Sequence, residues 1–341
     1  MDVRAAESLL SLTEDASARL RGPGSKAALE LLENEYGELV VALQWFIDHE
    51  SIDEALRLAN ALYRFWITKQ QFDEGARWFD RVLGAPGGET RLRGQAFIHA
   101  GFMPFWLGQD DSAAAHFGRG LEIGRQLGDA PMISQALGGL ARVALRTDVV
   151  EGRRLAGEAL VVSEAAADEP GRSNALHLLG VGAQIAGDLL EAREWMTRRL
   201  ALVRATGNEF LIASEASNLS MVERQLGNLD AAEGLAREAI EIGERTGDQF
   251  TKPFAISGLA AIATDRREFE RAAILVGAAE AIMEAQQMAW PPDERPHYER
   301  MLAALPEALG WAEFERARAA GRSMTPSDAV EFALGARSSG G

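Results

Sequence analysis

The stretch Gly207–Asp248, GNEFLIASEASNLSMVERQLGNLDAAEGLAREAIEIGERTGD, decides the fold. Two like junctions bound it, Gly207-Asn208 and Gly247-Asp248, and a third Gly-polar step, Gly227-Asn228, divides it. Glycine accepts the left-handed conformation that ends a helix. Asn or Asp then accepts the free amide hydrogens of the next helix as N-cap. The segments between are rich in Ala, Leu, Glu and Arg, which are strong helix formers. The stretch therefore reads as two helices joined by a tight turn.

Working outward, the same junction recurs at Gly128-Asp129 and Ala167-Asp168. The Asp/Asn positions 129, 168, 208 and 248 are separated by steps of 39, 40 and 40. A second register runs between them. Gly108, Gly187 and Gly227 each precede a polar residue, with Ala113, Ala192 and Ala232 five positions on and Leu121, Leu200 and Ile240 thirteen positions on. Thr147 (with Gly152 and Leu160) and Gln70 (with Gly75 and Leu83) start equivalent turns. Two turn registers per period make each repeat a helical hairpin, here helix A followed by helix B. Helix A carries a large-then-small pair, Leu179-Gly180, Leu219-Ser220 and Leu259-Ala260, and helix B carries Ala192, Ala232 and Ala272. Small residues facing each other let the two helices approach closely. One hairpin cannot bury both faces, so neighbours must stack. The expected fold is all-α: a right-handed superhelical solenoid of antiparallel hairpins, tetratricopeptide-like, with a period of about 40 residues and helical caps.

The rest of the chain extends this pattern. Helices are expected over 3–20 and 26–49 as an N-terminal cap (1–50), and over 52–69 and 72–84 as a first hairpin. Repeats follow to 287, within a repeat region of 51–287. Met288-Ala289-Trp290-Pro291-Pro292 breaks the pattern. Helices over 295–308 and 311–320, and a short one opened by Thr325 as N-cap and Pro326 at N1, form a C-terminal cap (288–336). A frayed tail is expected over 337–341.

Composition narrows the function. Lys and Arg number 35 against 51 Asp and Glu, a net charge of −16. Duplex binding needs cations to replace counterions around phosphate, and no basic cluster exceeds three residues. Arg198-Arg199 and Arg266-Arg267 read as solvated helix faces. The expectation is no direct contact with nucleic acid and none with anionic membranes. The absence of cysteine excludes disulfide scaffolds, zinc-thiolate sites and cysteine nucleophiles. The N-terminus lacks the apolar core of a signal peptide, and no apolar run reaches the length of a membrane span. The expected location is cytoplasmic.

Specific segments resemble one family. They are Leu32-Glu33-Asn34-Glu35 through Ala42-Leu43-Gln44-Trp45, Ala55–Ala59, Leu62-Tyr63-Arg64-Phe65-Trp66 and Glu74–Phe79. At the other end they are Ala272–Glu280, the Pro291-Pro292 break, and Gly321-Arg322-Ser323-Met324-Thr325 leading into Ala329-Val330. Together they resemble the tetratricopeptide region of bacterial STAND-class signalling ATPases, many of them LuxR-type or antibiotic-regulatory-type transcriptional regulators. The resemblance covers nearly the whole chain and is carried mainly by the flanks. It implies a region that senses an inducer or partner and restrains an ATPase domain of a parent protein. No GxxxxGK[ST] occurs, and Gly22-Pro23-Gly24-Ser25-Lys26 has the wrong spacing for a phosphate cradle. The expectation is an excised fragment or a stand-alone relative. Tyr36-Gly37-Glu38 and Val40 depart from the His/Asp/Asn cluster and Arg usual there.

Catalytic chemistry finds no foothold in the sequence. His49, His99, His116, His177 and His297 show no metal spacing, and no HExxH occurs. Carboxylates such as Glu241 and Glu244 read as solvated. No GxSxG elbow is present. The expectation is a non-enzyme with no metal and no cofactor. Its partner would be a protein, peptide or small-molecule inducer on the concave face, which helix A lines in tetratricopeptide superhelices. Candidate binding residues there are Phe102, Trp106, Gln135, Arg142, Asn174, His177, Gln184, Ser217, Met221 and Arg224. Gln95 and Ser257 share that face. Phe102, Phe105 and Trp106 read also as core, and His177 as a partly exposed polar residue. Arg142 and Arg224 are the candidates for anion binding, because a guanidinium offers forked donors. Three functions remain open: sensor of a STAND-type regulator, stand-alone interaction scaffold, and peptide-pheromone receptor of the kind found in Gram-positive quorum systems.

Overall fold

The computed structural model describes residues 1–20, 24–246, 251–285 and 295–335. The Gly247-Asp248 junction, the Met288–Pro292 break and the tail over 337–341 lie outside the described residues, as does the side chain of His297. The described residues form seventeen helices and no strand. In order these are α1 (Val3–Arg19), α2 (Ser25–Asp48), α3 (Ile52–Thr68), α4 (Phe72–Gly84), α5 (Arg91–Trp106), α6 (Asp110–Leu127), α7 (Ala130–Ala144), α8 (Val149–Ala165) and α9 (Glu169–Ile185). There follow α10 (Leu189–Thr206), α11 (Glu209–Gln225), α12 (Leu229–Thr246), α13 (Thr251–Asp265), α14 (Phe269–Ala285), α15 (Arg295–Leu309), α16 (Trp311–Arg322) and α17 (Pro326–Ala333).

The junctions work as their residue types require. Gly128 and Gly207 take positive φ, and Asp129 and Asn208 accept from the amides of Met132 and Leu211, each at 3.1 Å. Ala167 also takes positive φ although it is not glycine, and Asp168 beyond it makes no side-chain cap bond. In the second register Gly108, Gly187, Gly227, Gln70 and Arg267 are left-handed. Thr147 is not. There the turn closes through Asp148 N–H donating to Ala144 O at 2.7 Å, and Asp148 caps α8.

The chain divides into two compact units, Met1–Asp188 and Leu189–Gly341. In the first, α3 pairs with α4, α5 with α6 and α7 with α8, and each hairpin stacks on the next. The A helices also touch one another in sequence, α3 on α5, α5 on α7 and α7 on α9. They form one contiguous layer, with the B helices outside it. The core near the N-terminus holds Leu32, Leu43 and Phe46 of α2, Phe65 and Trp66 of α3 and Phe79 of α4. Arg93 is buried and donates to Leu83 O and Ala85 O at 2.8 and 3.0 Å, satisfying carbonyls at the end of α4.

In the second unit α11 packs on α12 and α13 on α14, with α11 also touching α13. The facing small residues operate as their pattern implies: Ser220 Oγ on helix A donates to Ala232 O on helix B at 2.7 Å. The tightest approach is between α14 and α16. A Cβ built on Gly277 would lie 2.0 Å from Arg318 O, and one on Gly321 would lie 1.9 Å from Ile274 O. Only glycine permits this backbone-to-backbone contact. It places Glu280 where Arg318 donates to it twice at 2.8 Å and Arg322 at 3.2 Å. Tyr298 of α15 also donates to Glu280. Thr325 and Asp328 form a capping box at α17, with Pro326 in the first turn.

Arg199 does not sit on a solvated face. It pairs with Glu215 and is 7% exposed at the side chain, with Glu215 at 0%. Its neighbour Arg198 lies over the Trp195 ring at 4.6 Å.

Candidate functional site

The candidate residues lie on the half-buried face of the A helices, and the two units use that face differently. In the first unit it is filled. Asn60 on α3 donates to Leu92 O at 3.1 Å, which orients its amide so that Oδ1 accepts from His99 Nδ1 at 2.9 Å. His99 Nε2 lies 2.9 Å from Gln95 Nε2, which also donates to Gln135 Oε1 at 3.1 Å. Tyr63 stacks flat on His99 with centroids 4.1 Å apart. One repeat on, Arg142 donates to Asn174 Oδ1 at 2.8 Å. Gly138 makes room for this: a Cβ there would meet Asn174 Nδ2 at 2.4 Å. Phe102 is packed between Tyr63 and Phe117, at 5.8 and 5.0 Å. Phe105 is buried beneath the Arg146 guanidinium at 3.8 Å. Trp106 stands apart from this ladder, beside Phe72 and 37% exposed. His177 and Gln184 on α9 are half-buried and both are engaged in contacts. The anion-binding role expected of Arg142 meets a guanidinium already tied to Asn174.

In the second unit the same face is open. Ser217, Met221 and Arg224 line one cavity of about 240 Å³ between α11 and α13, bordered by α15. The register that carries Phe102 and Arg142 continues to Met221 and Ala261, and the register of His177 continues to Ser217 and Ser257. Bulk is replaced by small or flexible side chains, and among the described residues none fills the space between the helices. Arg224 donates to Asp265 at 2.7 Å on the cavity wall, with side chains 22% and 39% exposed. Ser220 and Thr264 are bonded to the carbonyls of Ala232 and Ala260. Among the described residues no hydrogen bond is made by the hydroxyls of Ser217 and Ser257. Sequence reasoning missed Phe254, Asp265, Tyr298 and Met301 in this wall. Asp265 stands one repeat after Arg224, which is a legible pairing. Tyr298 and Met301 belong to a cap helix outside the repeat register, so no spacing signals them.

A second cavity of about 310 Å³ lies at the α3–α4 turn, lined by Tyr36, Gln70 and Glu74 among others. Trp66 Nε1 donates to Tyr36 Oη at 2.9 Å, Tyr36 donates to Glu74 Oε1 at 3.3 Å, and Trp78 Nε1 donates to the same oxygen at 2.9 Å. Burial and the Glu74 carboxylate push the Tyr36 phenol up to about 12. Burial also acts to raise Glu74, but bonds from Trp78 and Arg77 outweigh it and hold the carboxyl below its ordinary range. The network ties α2, α3 and α4 together and leaves Tyr36 a neutral donor. Burial lowers His116, against the opposing charge of Asp80.

Among the described residues no group of three or more His, Cys, Asp or Glu is placed to hold a metal ion. No described helix is long and apolar enough to cross a membrane.

This arrangement of stacked hairpins defines the protein as a tetratricopeptide-like repeat protein, and solved structures with that fold match it. A Rap protein complexed with competence and sporulation factor superposes with a TM-score of 0.58, at 14% identity, over 96% of this chain and 99% of that one. The signal-transduction ATPase with numerous domains and a tetratricopeptide-repeat sensor from Pyrococcus horikoshii gives 0.56 at 14% identity, over 94% of this chain and 49% of that one. NprR in complex with its cognate peptide NprX gives 0.56 at 12% identity, over 96% and 92%. More particularly, the chain is similar in sequence to a protein of Mycobacterium tuberculosis named as a candidate HTH-type transcriptional regulator. The two are 26% identical over 229 residues, 64% of this chain. The chain spans about a quarter of that relative's length, 26%. No family profile matches the chain.

Proposed function

We propose that this chain is a non-catalytic binding module, the sensor region of a bacterial STAND-type signalling or transcriptional regulator, and that it binds its inducer on the A-helix face. The cavity between α11 and α13 carries the reading. It is a concave, mainly apolar site with a few converging polar groups, which is the usual form of a ligand site. Its walls include Ser217, Met221 and Arg224, selected on periodicity alone. The likeness to a STAND protein with a repeat sensor and to a named transcriptional regulator supports the regulatory context. In this reading residues 51–287 are the repeats, with caps over 1–50 and 288–336. A partner ATPase domain would belong to the parent protein, and the site of action would be cytoplasmic.

A second reading, a peptide receptor, is favoured by the match to Rap and NprR structures that hold peptides. The amide and imidazole ladder from Asn60 to Gln135 suits a peptide backbone, since it can exchange bonds with neighbouring amides.

Native mass spectrometry of the purified chain with a fractionated metabolite and peptide pool tests both. The expected result is one retained component that Ala261→Phe, which fills the cavity, abolishes. Retention unchanged in Ala261→Phe but lost in Gln135→Ala moves the site to the first unit and favours the peptide reading. Retention of nothing by a folded chain overturns the sensor assignment.

A further inference from the structure

Building on the reading of the second-unit cavity as a ligand site, we propose that it takes a free α-amino acid with an apolar side chain. Charge is the first argument. The wall presents a matched pair, Arg224 and Asp265, joined by a single Nη1 to Oδ2 bond of 2.7 Å and partly open to solvent. A guanidinium has five N–H donors in a fixed fork, so Arg224 keeps donors for a carboxylate while holding Asp265. Asp265 keeps a second oxygen for an ammonium. A ligand with one charge would satisfy one member of the pair and face repulsion from the other. A zwitterion satisfies both.

The hydroxyls of the wall fit the same ligand. Ser220 and Thr264 are engaged with backbone carbonyls. Ser217 and Ser257 are not bonded among the described residues, and each can donate to a carboxylate or accept from an ammonium. They occupy one register on adjacent A helices, so they flank the space between α11 and α13.

Asn218 and Arg300 also border the cavity, Asn218 donating to Glu215 at 3.4 Å and Arg300 exposed and engaged in contacts of its own. The apolar part of the wall is Met221, Phe254, Ala261 and Met301, with the Tyr298 ring. The Tyr298 hydroxyl is engaged by Glu280, so the ligand meets the ring and not the phenol. Methionine side chains adapt to irregular shapes, which suits branched or aromatic groups. Size sets the upper limit. At about 240 Å³ the cavity is below the ~300–1,000 Å³ range of larger ligand sites. That volume suits one leucine or phenylalanine better than a peptide.

Calorimetric titration of the full chain tests this, with L-phenylalanine, L-leucine, glycine, 3-phenylpropionate and phenethylamine as probes. The expected result is saturable binding of L-phenylalanine or L-leucine. The two single-charge analogues should bind at least about tenfold more weakly, and glycine should give no signal. Asp265→Asn should abolish the preference for the zwitterion over 3-phenylpropionate. Ser257→Leu should abolish binding by occupying the space, and it keeps the assay informative if Asp265→Asn fails to fold. Equal binding of 3-phenylpropionate and L-phenylalanine overturns the proposal, as does no titration by either amino acid up to about 10 mM. If the amino acids fail while Ala261→Phe still abolishes retention of a pool component, the cavity is a ligand site for another chemistry and the present assignment falls alone. If no probe and no pool component binds, both fall.

Discussion

Ala167 holds a left-handed conformation that its Cβ resists, as do Gln70 and Arg267. The period requires that conformation, and at Gly128, Gly207 and Gly227 glycine supplies it. Ala167→Gly should therefore stabilise the chain, by roughly 0.5–1 kcal/mol after the added freedom of the unfolded state is deducted. Urea unfolding would show this as a higher midpoint at unchanged slope, and a lower midpoint would refute the assigned turn. The Arg199–Glu215 pair is a second residue-scale case. Glu215→Ala removes one carboxylate from a buried guanidinium that has further contacts, and should cost up to about 3–5 kcal/mol. Replacing both by apolar residues of similar size should recover most of that loss, and a double variant as unstable as the single one would contradict it. In the sequence Arg198-Arg199 is indistinguishable from a surface pair. What buries Arg199 is a carboxylate sixteen positions away on the next helix, and no local pattern signals it.

Between elements, the α14–α16 contact sets how the C-terminal cap holds on. Gly277→Ala forces a methyl onto Arg318 O, so the helices must separate, at a cost of about 1–3 kcal/mol. Thermal melting would register the loss, and a neutral outcome would show that the helices are not in backbone contact. The same contact buries Glu280. Burial opposes its ionisation, but bonds from Arg318 and Tyr298 outweigh burial and hold it below the ordinary value of 4.5. A depressed carboxyl contributes stability that is present above its unfolded value and lost as pH falls through the folded one. Stability should therefore decline below about pH 4.5, and the decline should be shallower in Glu280→Gln. An identical acid limb in the variant would count against the cluster. The helices themselves were legible: the expected 52–69, 72–84 and 311–320 compare with Ile52–Thr68, Phe72–Gly84 and Trp311–Arg322. Caps and breakers mark those ends locally. How two helices meet depends on facing surfaces, so the role of Gly277 and Gly321 appears only when both are in place.

At the scale of the whole molecule, periodicity identified the fold and singled out the A-helix face on which the binding site is proposed. It could not separate filled from empty positions. Gln135, Arg142 and Asn174 are tied to one another or their neighbours, as Arg224 is to Asp265, but Ser217, Met221 and Arg224 also border a cavity that no described side chain fills, because occupancy is set by the residues one repeat away. The acidic surface has its own consequence. With a net charge of −16 the chain should give no mobility shift with duplex DNA even at about 50 mM salt, and a salt-sensitive shift would contradict the assignment as a sensor without a nucleic-acid contact. The central claim is that the cavity between α11 and α13 is where the ligand binds, and methionine methyl NMR tests it most directly. Met221 and Met301 line the cavity, while Met103 and Met132 are buried in the first unit. On adding L-phenylalanine, or the pool component retained by the chain, the account predicts shifts at Met221 and Met301 with Met103 and Met132 unmoved. Shifts at Met103 and Met132 with Met221 and Met301 still would contradict it.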